Sequence, residues 1–241
     1  MKGLLEDKKN LVILLLSILF IIKIFIEGAR FASWVLAGVF FCFALNFALN
    51  YILKKRHFPN SAIISGFIVS GILDCYQPWL VLFIFCSLAI LSKQIIRFQG
   101  RHIFNPANFG LFCATVFKVP LTWNIESNIP LIIIFGLYFA YAYKKFPHIL
   151  GFLGLFMGLS MIFRLHPVIS WFFVFIMLIE PKTSGYGRIR GLIFGGISGV
   201  IAFLIFKSAI PFDPFISSLF VANLFNPALD KINPVTPSLK K

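Results

Sequence analysis

Apolar residues follow one another along this chain in long runs, and short clusters of charged residues, glycine and proline separate the runs. A helix needs roughly 20 apolar residues to cross about 30 Å of hydrocarbon, and backbone polar groups in lipid must be satisfied within their own element. The pattern therefore predicts an all-α polytopic membrane protein. Its ten predicted transmembrane helices lie near residues 10–26, 31–53, 61–74, 78–95, 105–119, 129–143, 148–164, 167–180, 191–207 and 213–229.

The composition agrees with this pattern. The chain has 241 residues, of which 59% are hydrophobic and only 8 are acidic, so most of it does not resemble a water-soluble globule. Ten spans leave no room for a soluble catalytic domain. We therefore expect a single transmembrane domain whose chemistry uses helix ends and short loops, and no catalysis by the chain alone.

The basic residues predict the orientation. If the N-terminus is cytoplasmic, 17 of the 22 Lys and Arg residues fall on that side, which agrees with the positive-inside rule. We expect a multi-pass protein of the plasma (inner) membrane with both termini in the cytoplasm. The net charge of +14 is then a topology signal and does not indicate a nucleic-acid partner.

Ten spans with both termini on one side divide into two inverted halves, residues 1–123 and 124–230, followed by a tail at 231–241. The third and eighth spans are short or broken, and such a pair indicates a binding site, although tilted helices would give the same pattern. Glycines four residues apart predict close helix packing at Gly154 and Gly158, and again at Gly191, Gly195 and Gly199.

The segment "RFQGRHIFNPANFG", residues 97–110, concentrates polar groups at the start of the predicted fifth span. Asn105 before Pro106 has the form of an N-cap followed by a first-turn proline. Arg101 and His102 precede this helix end and Asn108 lies one turn inside it, so the local field favours an anionic or electron-rich ligand. A capped helix whose basic neighbours obey the topology rule is an equally good interpretation.

The four cysteines lie on four different spans without a C-x-x-C pair, and the four histidines lie at helix ends. The spacing therefore predicts buried structural thiols and no metal site.

Three stretches resemble the RnfD/NqrB family, the flavin-carrying membrane subunits of Rnf complexes and of sodium-pumping NADH:quinone oxidoreductase. They are "SGFIVSGIL", "PWLVLFIFCSLAILSKQIIRFQGRHIFNPANFGL" and "MLIEPKTSGYGRIRGLIFGGISGVIAFL", within residues 60–120 and 165–230. The form "GRHIFNPANFG" is most similar to the smaller, UnbU-like branch. The resemblance implies inverted five-helix halves, FMN carried covalently on the threonine of an S-G-A-T-type motif, and electron transfer coupled to Na⁺ or H⁺.

This chain reads "KVPLTWNIESNIPL" after the fifth span and has no S-G-A-T there. The resemblance therefore implies a noncovalent flavin (FMN or riboflavin) or a quinone. The residues it points to are Arg101, His102, Asn105, Asn108, Lys182, Thr183, Ser184 and Gly185. Glu180 is either an ion-pathway carboxylate or a helix-end partner of Arg188 or Arg190.

The expected function is that of a redox subunit, which positions its cofactor between partner membrane and peripheral subunits. A small-solute channel or transporter is the first alternative, because paired broken helices also occur in that class. A membrane scaffold without a cofactor is the second.

Overall fold

A computed structural model describes residues 8–54, 60–98, 101–181, 183–184 and 187–232 of the chain. The predicted all-α class is confirmed, with about ten helices and, in this described part, one hairpin of two-residue strands. The elements are α1 (Lys8–Ile52), α2 (Asn60–Ile72), α3 (Trp79–Ile95), β1 (Arg97–Phe98), β2 (Arg101–His102), α4 (Pro106–Val116), α5 (Ile129–Ala142), α6 (Phe146–Ile162), a π-helix (Phe173–Met177), α7 (Arg188–Lys207), α8 (Pro214–Leu224) and α9 (Asn226–Ile232).

Helix α1 joins the first two predicted spans and bends at Gly28. The backbone there has φ 77° and ψ −164°, a conformation that is open to glycine and costly for any residue with a Cβ atom. A Cβ atom added at Gly28 would meet nothing within 4 Å. The glycine is therefore needed for the backbone conformation of the bend and not for space.

Gly28→Ala is expected to lower the free energy of unfolding by about 1–3 kcal/mol, because the bend would force alanine into this disfavoured region. Gly158→Ala in α6 is the matched control, since its added Cβ also meets nothing within 4 Å but enters an ordinary helix. That change is expected to stabilise by up to about 1 kcal/mol. Unfolding in detergent gives the free energy change of both variants. Equal changes would contradict the requirement for glycine at the Gly28 bend.

Two helices are long and apolar enough to cross a membrane, by length and composition alone. They are α1, over Lys9–Ile52, and α7, over Arg188–Lys207. The remaining apolar helices are shorter, at 10–17 residues. A buried core helix or a signal sequence meets the same two criteria, so the ten predicted membrane crossings remain a proposal.

The chain divides into two compact units. Unit 1 comprises Met1–Ile95 and Pro106–Ile129. In it, Arg30 lies two residues after the bend and donates from Nε to the carbonyl of Cys75 (3.0 Å) and from a terminal nitrogen to that of Gln77 (3.1 Å). Its guanidinium lies 4.7 Å from the ring centroid of Trp79. These contacts tie α1 to the turn between α2 and α3.

Unit 2 comprises Ile96–Asn105 and Pro130–Lys241. Its helices α6 and α7 pack backbone to backbone at the second predicted glycine series. A Cβ atom added at Gly195 would lie 2.0 Å from the carbonyl oxygen of His148, and one at Gly199 would lie 2.7 Å from that of Phe152. At Gly151, on α6, the carbonyl of Leu192 would be 2.4 Å away. The predicted close packing at Gly191, Gly195 and Gly199 is thus confirmed.

The same prediction is wrong for Gly154 and Gly158. A Cβ atom added at either glycine meets nothing within 4 Å. The face of α6 that contacts α7 instead follows His148, Phe152 and Phe156, at four-residue intervals, with Gly151 beside it. Glycine spacing alone does not identify the contacting face.

Basic residues end several helices in the left-handed conformation. Lys54, Lys118, Lys144 and Arg164 have φ between 52° and 58° and follow α1, α4, α5 and α6. At three of these ends the next residue donates its N–H to a carbonyl five residues back, as Val119, Lys145 and Leu165 do. This is the Schellman pattern, and a cation there also suits the negative end of the helix dipole. These four charges therefore serve helix termination.

The eighth predicted span, 167–180, is helical over only part of its length. Residues 165–170 form no regular secondary structure, and a short helical stretch from Trp171 continues as the π-helix. The N–H of Leu178 donates to the carbonyl of Phe173 at 2.9 Å, five residues back. Phe175 packs so closely on Gly136 of α5 that an added Cβ would lie 2.3 Å from the Phe175 Cβ.

Candidate functional site

A connected set of polar side chains lies inside unit 2, around the predicted residues Thr183 and Ser184. Lys145 donates from Nζ to Ser184 Oγ at 2.9 Å, and His148 Nε2 lies 2.7 Å from the Ser184 carbonyl oxygen. A carbonyl oxygen only accepts, so Nε2 carries the proton and is the donor. Lys145 and His148 are fully buried, and Ser184 is 1% exposed.

The end of α5 explains why Lys145 points inward. Lys144 adopts the left-handed conformation (φ 56°), and the N–H of Lys145 returns to the carbonyl of Ala140 at 2.7 Å. This turn reverses the chain before α6 starts at Phe146. Of two adjacent lysines, Lys144 is exposed and Lys145 is buried.

The other side of the network runs from Glu180 to α8 and α9. Thr183 Oγ1 donates to Glu180 Oε2 at 2.9 Å, and Ser184 Oγ donates to the Glu180 carbonyl at 2.7 Å. Asn226 Nδ2 donates to the Thr183 carbonyl. The amide oxygen of Asn226 accepts from an Arg190 terminal nitrogen at 3.4 Å. The polar network, as we call it, thus comprises Lys145, His148, Glu180, Thr183, Ser184, Arg190, Asn223 and Asn226.

Asn223 completes the network with an unused donor. It is fully buried, and its amide oxygen accepts from Asn226 Nδ2 at 3.2 Å. Its own Nδ2 has no hydrogen-bond partner among the described residues. A buried amide N–H without a partner is unfavourable by about 1–3 kcal/mol, so it indicates an acceptor beyond the described residues.

The electrostatics of the network are dominated by buried cations. The pKa of Lys145 is lowered from 10.5 to about 7. Burial is the largest cause, the Arg190 guanidinium adds to it, and the Glu180 carboxylate opposes both with a smaller effect. Lys145 therefore exchanges a proton near neutral pH, and its surroundings favour added negative charge.

The structure brings together three of the predicted residues, Glu180, Thr183 and Ser184. Lys182 and Gly185 lie outside the described residues, as does the side chain of Arg101. His102 belongs to β2 and Asn105 is 4% exposed. Between them, Phe104 stacks on Phe220 of α8 with ring centroids 4.5 Å apart. That helix also carries Asn223.

Asn108 is fully buried on α4 in unit 1, whereas His102 and Asn105 belong to unit 2. Its assignment to the site therefore stays a prediction. The described contact of the Glu180 carboxylate is with Thr183, and Arg190 reaches the network through Asn226.

Sequence reasoning did not assign Lys145, His148, Asn223 and Asn226 to the site. The signals were present as a Lys-Lys pair at the end of an apolar run, "KKFPH", and as two amides in "ANLFNPA". Neither pattern shows that the two segments meet at Ser184. No group of three or more His, Cys, Asp or Glu side chains in the described ranges is placed to hold a metal ion.

Neither the comparison with protein-family models nor that with curated proteins gave a match. The functional proposal therefore depends on the residues and geometry of this chain.

Proposed function

We propose that this chain is a multi-pass membrane subunit of an electron-transport complex of the RnfD/NqrB type, and that its polar network positions a flavin or a quinone. The carrying observation is the network itself. Two buried cations, a histidine N–H and an unused amide donor lie together in a chain that is otherwise mostly apolar. Burying polar groups in apolar surroundings costs free energy unless they form hydrogen bonds with a ligand or with one another.

The apolar outer surface supports the membrane location. Helix α5 is apolar almost all round, yet only four of its 14 residues are buried. Elsewhere Phe25 is 86% exposed and Tyr51 is 80% exposed. Surfaces of this kind are unfavourable in water and suit lipid or partner helices. We therefore retain ten spans in two inverted halves, with both termini in the cytoplasm of a plasma membrane.

The donors of the network fit the acceptor-rich edge of a flavin or quinone, which supplies electron transfer when bound. Asn223 Nδ2 is a buried donor with no hydrogen-bond partner among the described residues, and Lys145 and Arg190 would provide positive charge where reduction adds negative charge. His148 holds the Ser184 carbonyl and so fixes the loop. Glu180, half-buried beside Thr183, is the carboxylate we propose for a coupled Na⁺ or H⁺ pathway.

The proposed role requires partners. The sequence contains neither a dinucleotide-binding glycine pattern nor iron–sulfur cysteine spacing, so electrons would come from and leave to other membrane and peripheral subunits. The chain supplies position and electrostatics, and no catalytic residue of its own is proposed.

A small-solute channel or transporter is the second candidate. The observation in its favour is the interrupted eighth span, in which irregular residues 165–170 precede the π-helix. Transporter sites commonly use such broken helices. Solute flux in proteoliposomes without any redox partner would favour this candidate over the first.

The test is the cofactor content of the full chain after mild detergent extraction, with and without co-expressed partner subunits. We expect noncovalent flavin or quinone in the wild type and a strong loss in Ser184→Val, which removes the hydroxyl between Lys145 and Glu180. Ser198→Val is the control, because Ser198 is also fully buried but bonds to Ser218 away from the network. No cofactor in the wild type, with assembly intact, would contradict the proposal and favour a scaffold.

A further inference from the structure

We infer that the polar network binds an anionic phosphate group, held between Lys145 and Arg190. The group belongs either to a soluble phosphate-bearing cofactor or to a phospholipid headgroup. The inference deepens the proposed function because it concerns the same network. It does not require redox activity, since a phosphate site would exist whatever reaction the ligand undergoes.

Charge is the first support. Lys145 is fully buried and Arg190 is 3% exposed, whereas Glu180, the acid whose contact with the network is described, is only half-buried. The guanidinium acts on Lys145 more strongly than the Glu180 carboxylate does. Two buried cations in one region favour the binding of an additional anion beside them.

The helices add to this field. Helix α6 begins at Phe146, next to Lys145, and α7 begins at Arg188, two residues before Arg190. Helix starts carry partial positive charge and favour anions. Helix starts are common, however, and they do not define a binding site without a second, independent observation.

The independent observation is Asn223. Its side chain is fully buried, its oxygen is occupied by Asn226, and its Nδ2 donates to no described residue. Asn226 in turn accepts from Arg190, so the unused donor lies on the same hydrogen-bonded chain as the guanidinium. A phosphate accepts several hydrogen bonds at once, and Arg, Lys and amide N–H groups are the donors that proteins use for it.

The lowered pKa of Lys145 predicts that binding of a phosphate group depends on pH. An anion beside Lys145 favours the ammonium form, and by linkage the protonated lysine favours the anion. The ionisable groups in the described network are Lys145, His148, Glu180 and Arg190. Phosphate binding is therefore expected to weaken as the pH rises above about 7, where burial and Arg190 leave Lys145 neutral.

The experiment measures thermal unfolding of the full chain in detergent against inorganic phosphate, with chloride at matched ionic strength as the reference. Phosphate is expected to stabilise the wild type. Lys145→Gln and Arg190→Gln are expected to bind it about tenfold more weakly, the effect of losing one charged hydrogen bond. Lys144→Gln and Arg188→Gln make the same charge changes at exposed neighbouring positions and should leave binding unchanged.

Two further comparisons, one of flavins and one of lipids, show whether the phosphate group belongs to a soluble cofactor or to a phospholipid headgroup. A soluble source predicts that flavin mononucleotide stabilises more than riboflavin, which lacks the phosphate. A headgroup source predicts that phosphatidylglycerol in phosphatidylcholine nanodiscs stabilises the wild type and removes its response to phosphate. If a Gln variant does not fold, Lys145→Arg, which keeps the charge, and the pH dependence of the wild type carry the test.

Equal responses to phosphate and chloride, together with equal effects of the two flavins and of the two lipids, would overturn the phosphate site. Flavin bound without any phosphate preference would overturn this inference while leaving the proposed function intact. A phosphate response in a protein without flavin or quinone would support the site and count against the proposed redox function. Loss of the response in Lys144→Gln as much as in Lys145→Gln would also overturn the assignment, because the effect would then be one of overall charge.

Discussion

Gly195→Ala is expected to lower the free energy of unfolding by about 3 kcal/mol or more, at the upper end of the range for overpacked cores. The new methyl group would lie 2.0 Å from the carbonyl oxygen of His148 and 2.9 Å from the backbone nitrogen of Phe152. Both are backbone atoms, which cannot move aside as a side chain can. Relief requires α6 and α7 to separate by about 1 Å, and the packing around His148 would then be lost.

Gly154→Ala is the matched control for this prediction. It lies on α6, where an added Cβ meets nothing within 4 Å. That substitution is expected to be neutral or to stabilise by up to about 1 kcal/mol, since alanine is the better helix former. The free energies of unfolding of both variants, measured in the same detergent, test this prediction. A Gly195→Ala protein as stable as Gly154→Ala would show that the two helices are not in backbone contact.

The Gly195 substitution also has a functional consequence. The atom that the methyl group would displace belongs to His148, whose Nε2 holds the carbonyl of Ser184. A shift of α6 therefore changes the position of the network as well as the stability. We expect Gly195→Ala to lose ligand binding even under conditions in which it remains folded.

Lys145→Met is expected to stabilise the protein below about pH 7 and to abolish ligand binding. The folded chain binds the Lys145 proton only below about pH 7, whereas the unfolded chain binds it up to the ordinary pKa of 10.5. The wild-type unfolding free energy therefore rises with pH through this window, because the unfolded state holds more protons there. Methionine has no such dependence, so its advantage is greatest at and below pH 7 and disappears toward 10.5.

Unfolding free energies of the wild type, Lys145→Met and Lys144→Met across this pH range provide the measurement. Lys144→Met, at the exposed neighbouring position, should follow the wild type across this range. A wild type whose stability falls as the pH rises from 7 to 10 would contradict a lowered pKa for Lys145. Stabilisation together with loss of binding would identify Lys145 as a residue retained for function at a cost in stability.

The helical class and the approximate bounds of most helices follow from the amino-acid sequence alone. Apolar runs bounded by charged residues, glycine and proline give local signals, and α2, α3 and α5 begin and end within two residues of the prediction. The second glycine series likewise lies on the packed face of α7, although the same four-residue spacing in α6 does not mark a contact. The polar segment around Thr183 and Ser184 also stood out, as an interruption of apolar sequence.

What surrounds that segment, by contrast, depends on how distant parts of the chain pack together. Lys145 and Lys144 are chemically identical neighbours, and the Schellman turn at the end of α5 buries one and exposes the other. Asn226 reaches Thr183 from 43 residues further along the chain and is bonded to Asn223, and no local pattern encodes such a separation. The glycines of α6 are a similar case, since which of them faces α7 depends on how the two helices are rotated against each other. Local free energies determine where helices lie, and the packing of distant segments determines which polar groups meet.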